Sequence, residues 1–168
     1  MILRALTLAG GLTVGAGVSQ FPEFSQQYAQ RLGGAVDALT QVVEDFDASA
    51  NSEGLTRATA LDQMRGTDFL DRRRNDMERT FARHAALSAD LDALKGQGPF
   101  MRAYHATRFS DRQVAKAAWA AYQPALPLNM TGAIFAGVGF VLGLIAVAIL
   151  LRIARLPFQL LRRNRAEA

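Results

Sequence analysis

The chain has 168 residues, enough for one domain or for one domain with a membrane anchor, and too few for a large two-domain enzyme. It is 50% hydrophobic and 20% charged, which makes it more apolar than an ordinary soluble domain. It contains no Cys, which excludes disulfides, thiolate catalysis and zinc–cysteine sites, and it has only two His.

The first apolar segment, residues 5–22, has no formal charge and follows Arg4. Two interpretations compete for it: a retained transmembrane helix, or a secretory signal peptide with Arg4 as its basic n-region. No clear A-x-A cleavage motif follows its small residues, so we favour a retained membrane helix over residues 1–22. Pro22 predicts a kink or a new helix start at its end.

The central region, residues 23–126, predicts helices whose apolar side chains recur every three or four residues, close to the heptad spacing of a coiled coil. A loop is expected at residues 48–54. A short helix should then run from Thr56 to Met64, and Thr67 should cap a longer one. The first predicted seam is Phe24, Tyr28, Leu32, Ala35, Leu39, Val42 and Phe46, and the second is Leu70, Met77, Phe81, His84 and Leu91, with Leu87 and Leu94 nearby.

The long helix should end at Lys95 and Gly96, where the sequence GQGP predicts a turn. Two shorter helices are expected after it, over residues 100–107 and 111–122. Ser110 and Gln113 match the capping-box pattern for the second of these. We find no alternating strand pattern and no internal repeat.

The second apolar segment is the stronger membrane candidate. Residues 117–151 contain no Asp, Glu, Lys or Arg. Residues 128–151 alone are long enough to cross a hydrocarbon core of about 30 Å at about 1.5 Å per residue. We therefore predict a transmembrane helix over residues 127–151. The predicted fold is an all-α membrane protein in which two transmembrane helices flank an extracytoplasmic helical hairpin or small bundle.

The distribution of charge predicts the orientation. Residues 23–126 carry fourteen acidic and thirteen basic side chains, whereas the ends carry six Arg and one Glu. Because basic flanks stay in the cytoplasm, both termini should be cytoplasmic, residues 23–126 periplasmic, and residues 152–168 a basic cytoplasmic tail. The arginines that would set this topology and meet lipid headgroups are Arg4, Arg152, Arg155, Arg162, Arg163 and Arg165.

Small residues four apart occur in both predicted spans. This spacing lets helix backbones approach closely in lipid, although glycine is also generally tolerated in membrane helices. The candidate packing residues are Gly11, Gly15, Ala133, Gly137, Gly139 and Gly143. Trp119 and Tyr122 precede the second span, where aromatic rings favour the membrane interface.

The sequence offers little catalytic chemistry. His84 lies on an apolar stripe, where a lone His is usually a packed, hydrogen-bonded residue. His105 has no acidic partner at helical spacing in its short helix. There is no nucleophile–base pair, phosphate loop, dinucleotide fingerprint or metal signature. We therefore expect no enzymatic activity, no cofactor and no nucleic-acid partner.

The opening MILRALTLAGGL and the segment SQFPEFSQQYAQRLGGAVDAL (residues 19–39) resemble an uncharacterised bacterial membrane-protein family, domain of unknown function 2937. The likeness continues through FDAS (residues 46–49), FARH (residues 81–84) and PALPL (residues 124–128). The resemblance implies a retained N-terminal span and a bacterial inner-membrane setting. It implies no activity and no site residues.

Three functions are weighed. The first is a non-enzymatic accessory, scaffold or assembly subunit of a membrane complex, with membrane lipids and other subunits or copies of itself as partners. The second is a periplasmic module that senses or binds a ligand or lipid. The third, an enzyme that uses His84 or His105, is disfavoured because catalytic groups usually need partners that this sequence does not provide.

Overall fold

The computed structural model describes the backbone of residues 1–124 and 129–166 and the side chains of residues 1–124 and 129–154. Within these residues all regular structure is helical, so the all-α prediction is confirmed. The helices are α1 (Ile2–Ser19), α2 (Phe21–Ser52), α3 (Arg57–Gln63), α4 (Asp68–Leu94), α5 (Pro99–Tyr104), a 3-10 turn (Ala106–Arg108), α6 (Arg112–Ala121) and α7 (Met130–Ala166).

Two helical stretches are long and apolar enough to cross a membrane, judged by length and composition. They are Ile2–Ser52, whose apolar part is near the N-terminus, and Met130–Ala154. The chain also divides into two compact units. Unit 1 consists of Met1–Glu23 and Gln123–Ala168, and unit 2 consists of Phe24–Tyr122.

Unit 1 contains the pair α1 and α7, which pack against each other. Unit 2 is built around one core to which α2, α4 and α6 all contribute. Its buried members are Tyr28, Leu32, Val36, Leu87, Leu94, Val114 and Ala118. These side chains are large or β-branched for the most part, and their burial is the main apolar contribution to the stability of unit 2.

Several helix ends lie where local signals predicted them. Helix α1 ends at Ser19 and α2 begins at Phe21, with Gln20 between them. Pro22 is the second residue of α2, where its missing N–H is not needed. The hydroxyl of Thr67 accepts a hydrogen bond from the backbone N–H of Leu70 at 3.2 Å. Gly96, just after α4, has a φ of +72°, which a residue with a Cβ rarely adopts.

The loop predicted over residues 48–54 is wrong. Helix α2 continues through Ser52, and the connection to α3 is only residues 53–56. Ala50 faces the interior of unit 2 and is 5% exposed, so this polar-looking stretch has a buried side. The helix ends at Ser52, and Gly54, two residues later, has a φ of +68°.

The first predicted seam is also partly wrong, because it follows a heptad spacing too closely. Val42 is 42% exposed, whereas its neighbour Val43 is 8% exposed. An α-helix has 3.6 residues per turn, so the buried face of a straight helix drifts away from a strict seven-residue repeat. The buried positions of α2 shift by one residue between Tyr28 and Val36, which are eight apart, and they continue at Val43 and Ala50.

The capping box predicted from Ser110 and Gln113 does not form. Asp111 is the N-cap of α6, and its Oδ1 accepts hydrogen bonds from the backbone N–H groups of Gln113 (2.9 Å) and Val114 (2.8 Å). The Ser110 hydroxyl donates elsewhere, to Asp90. The helix predicted over residues 100–107 is the shorter α5 followed by the 3-10 turn.

Helix α7 runs past the predicted end of the second span. Its backbone remains helical to Ala166, so much of the segment predicted as a separate basic tail continues the helix. The side chains of Arg155, Arg162, Arg163 and Arg165 lie outside those that the structure describes.

Candidate functional site

Four of the predicted packing glycines meet at the contact between α1 and α7. A Cβ added to Gly15 would lie 2.9 Å from the backbone oxygen of Ala136, and one added to Gly143 would lie 2.9 Å from Cα of Gly11. A Cβ on Gly139 would lie 3.1 Å from Cα of Gly15. The two backbones are thus in direct contact, which only glycine allows at these positions.

A fifth glycine in this contact, Gly10, is absent from the predicted set. A Cβ on Gly10 would collide with Val147, a β-branched residue of α7. The sequence analysis missed it because a small-xxx-small pattern needs a second small residue four positions away, and residue 14 is Val. The only available signal was the Gly10-Gly11 doublet.

The other two predicted packing residues, Ala133 and Gly137, lie apart from this contact. Both are exposed, and a Cβ added to Gly137 would meet no other atom within 4 Å. They line a groove of about 500 Å³ along the α1–α7 pair. Its lining is almost entirely small or apolar and comprises Leu12, Gly15, Ala16, Ser19, Gln20, Gly132, Ala133, Ala136, Gly137 and Phe140.

The predicted interface aromatics form a cluster within unit 2. The ring centroids of Trp119 and Tyr122 are 5.9 Å apart, and Phe24 meets both, at 6.0 Å from Trp119 and 6.1 Å from Tyr122. Trp119 remains 69% exposed. A large exposed indole on an aromatic cluster suits a membrane interface or a partner surface.

The predicted seam residues pack between the helices of unit 2. Tyr28 and Leu32 are fully buried, and Leu39 and Leu91 pack against the same core. Phe46 of α2 meets Phe81 of α4 at a centroid distance of 5.2 Å. Met77 is 8% exposed, and Leu70 lines a cavity of about 270 Å³ together with Phe46.

The two histidines lie in different surroundings, His84 within α4 and His105 at the end of α5. Nε2 of His84 is 2.9 Å from the Thr40 hydroxyl and 3.4 Å from the Ser88 hydroxyl, so His84 joins α4 to α2. His105 contacts the ring of Tyr104 edge-on at 5.2 Å. Among the residues that the structure describes, no group of three His, Asp or Glu is positioned to hold a metal ion.

A buried polar network that sequence reasoning missed lies beside the core. Asp90 is 6% exposed; its Oδ2 accepts from the Ser110 hydroxyl at 2.5 Å and its Oδ1 from Arg108 at 3.3 Å. The Tyr28 hydroxyl accepts from the backbone N–H of Asp111 at 3.4 Å. The signal in the sequence was the position of Asp90, between Leu87 and Leu94 on the buried stripe of α4.

This network perturbs the buried tyrosine. Burial raises the pKa of the Tyr28 hydroxyl, and the negative charges of Asp90 and Asp111 raise it further, against the opposing hydrogen bond from the Asp111 N–H. A raised pKa keeps the phenol neutral, so Tyr28 acts here as a packed acceptor. The network ties the segment between α5 and α6 to α2 and α4.

A groove with mixed lining runs between α2 and α6 in unit 2. Its volume is about 730 Å³, within the usual range for small-molecule sites. Arg83 at one end is paired with Asp111 at 3.2 Å, whereas Arg31 forms no ion pair with any described side chain. The lining residues are Gln27, Gln30, Arg31, Gly34, Ala35, Leu39, Arg83, Gln113, Val114, Ala117 and Ala121.

The chain matches the sequence model of one known protein family. Residues 2–160 match the family described as "Protein of unknown function (DUF2937)", and the chain belongs to that family. No curated protein matches the chain. No solved structure matches it either.

Proposed function

We propose that this member of a family without an assigned activity is a non-enzymatic accessory, scaffold or assembly subunit of a bacterial inner-membrane complex. Residues 1–22 and 127–151 would cross the membrane, with both termini cytoplasmic and residues 23–126 periplasmic. The net positive charge of the two ends supports this orientation.

The observation that carries the proposal is the open groove along the α1–α7 pair. The α1–α7 contact within the chain already uses Gly11, Gly15, Gly139 and Gly143. Ala133 and Gly137, in contrast, remain exposed. In lipid, where apolar burial gives little driving force, helices associate through close backbone approach at small residues. The occupant that this groove favours is therefore a transmembrane helix of a partner subunit.

The test is a gentle purification of the full chain from native membranes, followed by mass spectrometry of co-purifying subunits and a native mass measurement. Gly137→Leu fills the groove, and Gly17→Leu is the matched control because Gly17 also has open space around it and does not line the groove. We expect a stoichiometric partner with the wild type and Gly17→Leu, and its loss with Gly137→Leu. A solitary monomer in several mild detergents would contradict the proposal, and only copies of the chain would indicate the self-assembling form.

A second candidate function is ligand binding at the α2–α6 groove, because this groove combines an unpaired Arg31 with amide and apolar side chains. It suits a small organic anion with an apolar body. The matched pair is Gly34→Leu, which projects into the groove, and Gly33→Leu, which does not line it; both positions have open space for a side chain. A ligand that raises the melting temperature of the wild type and Gly33→Leu, and not of Gly34→Leu, would support this function.

A further inference from the structure

The α1–α7 pair brings together two arginines that are far apart in the sequence. Arg4 and Arg152 line one groove of about 490 Å³ in unit 1. The register of the pair explains this, since Gly15 lies against Gly139 and Gly11 against Gly143. Each step of one turn toward the start of α1 is matched by one turn toward the end of α7, so the helices are antiparallel and their basic ends coincide.

The other residues of this groove are apolar or have satisfied hydrogen bonds. Leu3, Leu8, Leu144, Ala148 and Leu151 line it, and the Thr7 hydroxyl donates to the backbone oxygen of Leu3 at 2.9 Å. Leu8 is one turn from Arg4, and Ala148 is one turn from Arg152, toward the middle of the pair. The groove is therefore cationic at one end and apolar along its length.

Among the residues of unit 1 that the structure describes, no acidic side chain pairs with these arginines. Residues 1–22 and 129–154 contain no Asp or Glu. Glu23 follows the other end of α1, and Glu167 lies outside the described residues. Neither arginine forms an ion pair with a described side chain. Two arginines that line one groove without an ion-pair partner there favour an anion from outside the chain, and Arg binds phosphate with particular geometric preference.

We propose that Arg4 and Arg152 together hold the phosphate of one anionic phospholipid, whose acyl chain lies along Leu8, Leu144 and Ala148. A phospholipid matches the groove in both respects, because its phosphate can pair with the two arginines and its hydrocarbon chain can cover the apolar walls. Basic pockets between transmembrane helices on the cytoplasmic side are a known mode of lipid recognition. The inference rests on the membrane placement proposed above and adds a specific lipid class and a stoichiometry to it.

The experiment is native mass spectrometry of the full chain in mild detergent, titrated separately with dioleoyl phosphatidylglycerol, dioleoyl phosphatidylcholine and inorganic phosphate. We expect one phosphatidylglycerol per chain to bind in preference to phosphatidylcholine. Arg4→Gln and Arg152→Gln should each weaken this adduct about fivefold. Arg112→Gln, which removes an equal charge from unit 2, should leave it unchanged.

A second matched pair tests the apolar half of the site. Ala148→Phe fills the groove and should reduce the phosphatidylglycerol adduct, whereas Ala146→Phe, on the same helix and outside the groove lining, should not. Equal adducts of the two lipids, or a preference unaffected by both arginine variants, would overturn the lipid site. Binding of inorganic phosphate as tight as that of phosphatidylglycerol would overturn the role of the acyl chain. Extraction of the chain from membranes by alkaline carbonate would overturn the membrane placement as well, and so separates the two failures.

Discussion

The helix pair of unit 1 and the three-helix core of unit 2 hold their helices together by opposite means. In unit 1 the closest approach is between glycine backbones, where Cα of Gly15 lies 3.1 Å from the position that a Cβ on Gly139 would take. In unit 2 the contact consists of large side chains such as Tyr28 and Leu94, both fully buried. Gly33 and Gly34 of α2 contribute nothing to that contact, since a Cβ at either would meet open space.

This difference is the one expected if unit 1 lies in a membrane, as proposed above, and unit 2 lies in water. In water, burial of apolar area stabilises a contact, so large side chains between helices are favourable. In lipid, the tails are as apolar as Leu, and close packing of backbones contributes instead. We therefore expect that shortening a large buried side chain destabilises unit 2, whereas enlarging a glycine at the helix contact destabilises unit 1.

The largest effect is expected from Tyr28→Ala. This change removes a fully buried ring that packs at a tilt against Phe109, with the ring centroids 4.5 Å apart, and leaves a cavity, which costs about 3–5 kcal/mol for a large aromatic residue. Tyr104→Ala is the matched control, since Tyr104 is 80% exposed and should change stability by less than about 0.5 kcal/mol. Denaturant unfolding of the full chain in mild detergent, followed by fluorescence of the single Trp in unit 2, measures both. Equal losses for the two variants would contradict the assigned core.

Gly15→Ala tests the backbone contact between α1 and α7 in unit 1. The added methyl would lie 2.9 Å from the Ala136 backbone oxygen, which cannot rotate away as a side chain can, so we expect a loss of about 1–3 kcal/mol. Gly17→Ala adds the same methyl in open space and should be neutral or slightly stabilising, because Ala favours helix over Gly.

The helix pair can be followed directly because the chain has no Cys of its own. Spin labels attached to Leu8→Cys and Ala148→Cys, which line one groove, report the spacing of α1 and α7. We expect their distance distribution to broaden with Gly15→Ala and to remain narrow with Gly17→Ala. An unchanged distribution in both variants would show that the helices tolerate a wider spacing than the glycine contact implies.

An intermediate effect is expected at Asp111, where unit 2 uses a charged residue as a helix cap. Asp111→Ala removes the acceptor for two backbone N–H groups of α6 and the partner of Arg83, with an expected loss of about 1–2 kcal/mol. Asp111→Asn keeps a capping oxygen and removes only the ion pair, so it should retain most of the stability. Unfolding free energies of the two variants separate the cap from the charge. If Asp111→Asn lost as much stability as Asp111→Ala, the ion pair with Arg83 would account for the effect.

The elements of this fold that local chemistry determines could be predicted from the sequence. Thr67 caps a helix because its hydroxyl reaches a backbone N–H three residues on, and Gly96 ends one because it tolerates a positive φ. Both signals lie within a few residues of their effect. The predicted helix limits near Thr56 and Lys95 were accurate for the same reason.

What could not be predicted depends on pairs that are distant in the chain. Asp90 meets Ser110, and Gly10 meets Val147, only after helices have packed, and neither residue carries a local sign of its partner. Ser110 shows the competition directly. Its local pattern suggested a capping box, but a buried carboxylate offered its hydroxyl a stronger, charged acceptor, and Asp111 became the cap.

The smallest effect is expected from the charge pair Asp47–Arg57 on the outer surface of unit 2, a feature that the interior of the α1–α7 pair lacks. The Arg57 guanidinium donates from Nε and Nη2 to the two carboxylate oxygens, at 2.8 and 2.5 Å, and this hydrogen bonding holds the pKa of Asp47 below its usual value. Because the folded-state pKa is lowered, the stabilisation is present above the unfolded pKa of about 3.9 and is lost as the pH falls toward the folded value. Both side chains are partly exposed, so Arg57→Gln should cost only about 0.2–1 kcal/mol at neutral pH.

Arg57 has a second partner, the ring of Phe81, whose centroid lies 4.5 Å from the guanidinium carbon. This cation–π contact does not titrate with Asp47, so pH separates the two contributions. If the ion pair accounts for the effect, the difference in unfolding free energy between the wild type and Arg57→Gln should shrink below pH 3.9. A difference that persists undiminished in acid would assign the stabilisation to Phe81, and Phe81→Leu would then remove it while leaving the pKa of Asp47 depressed.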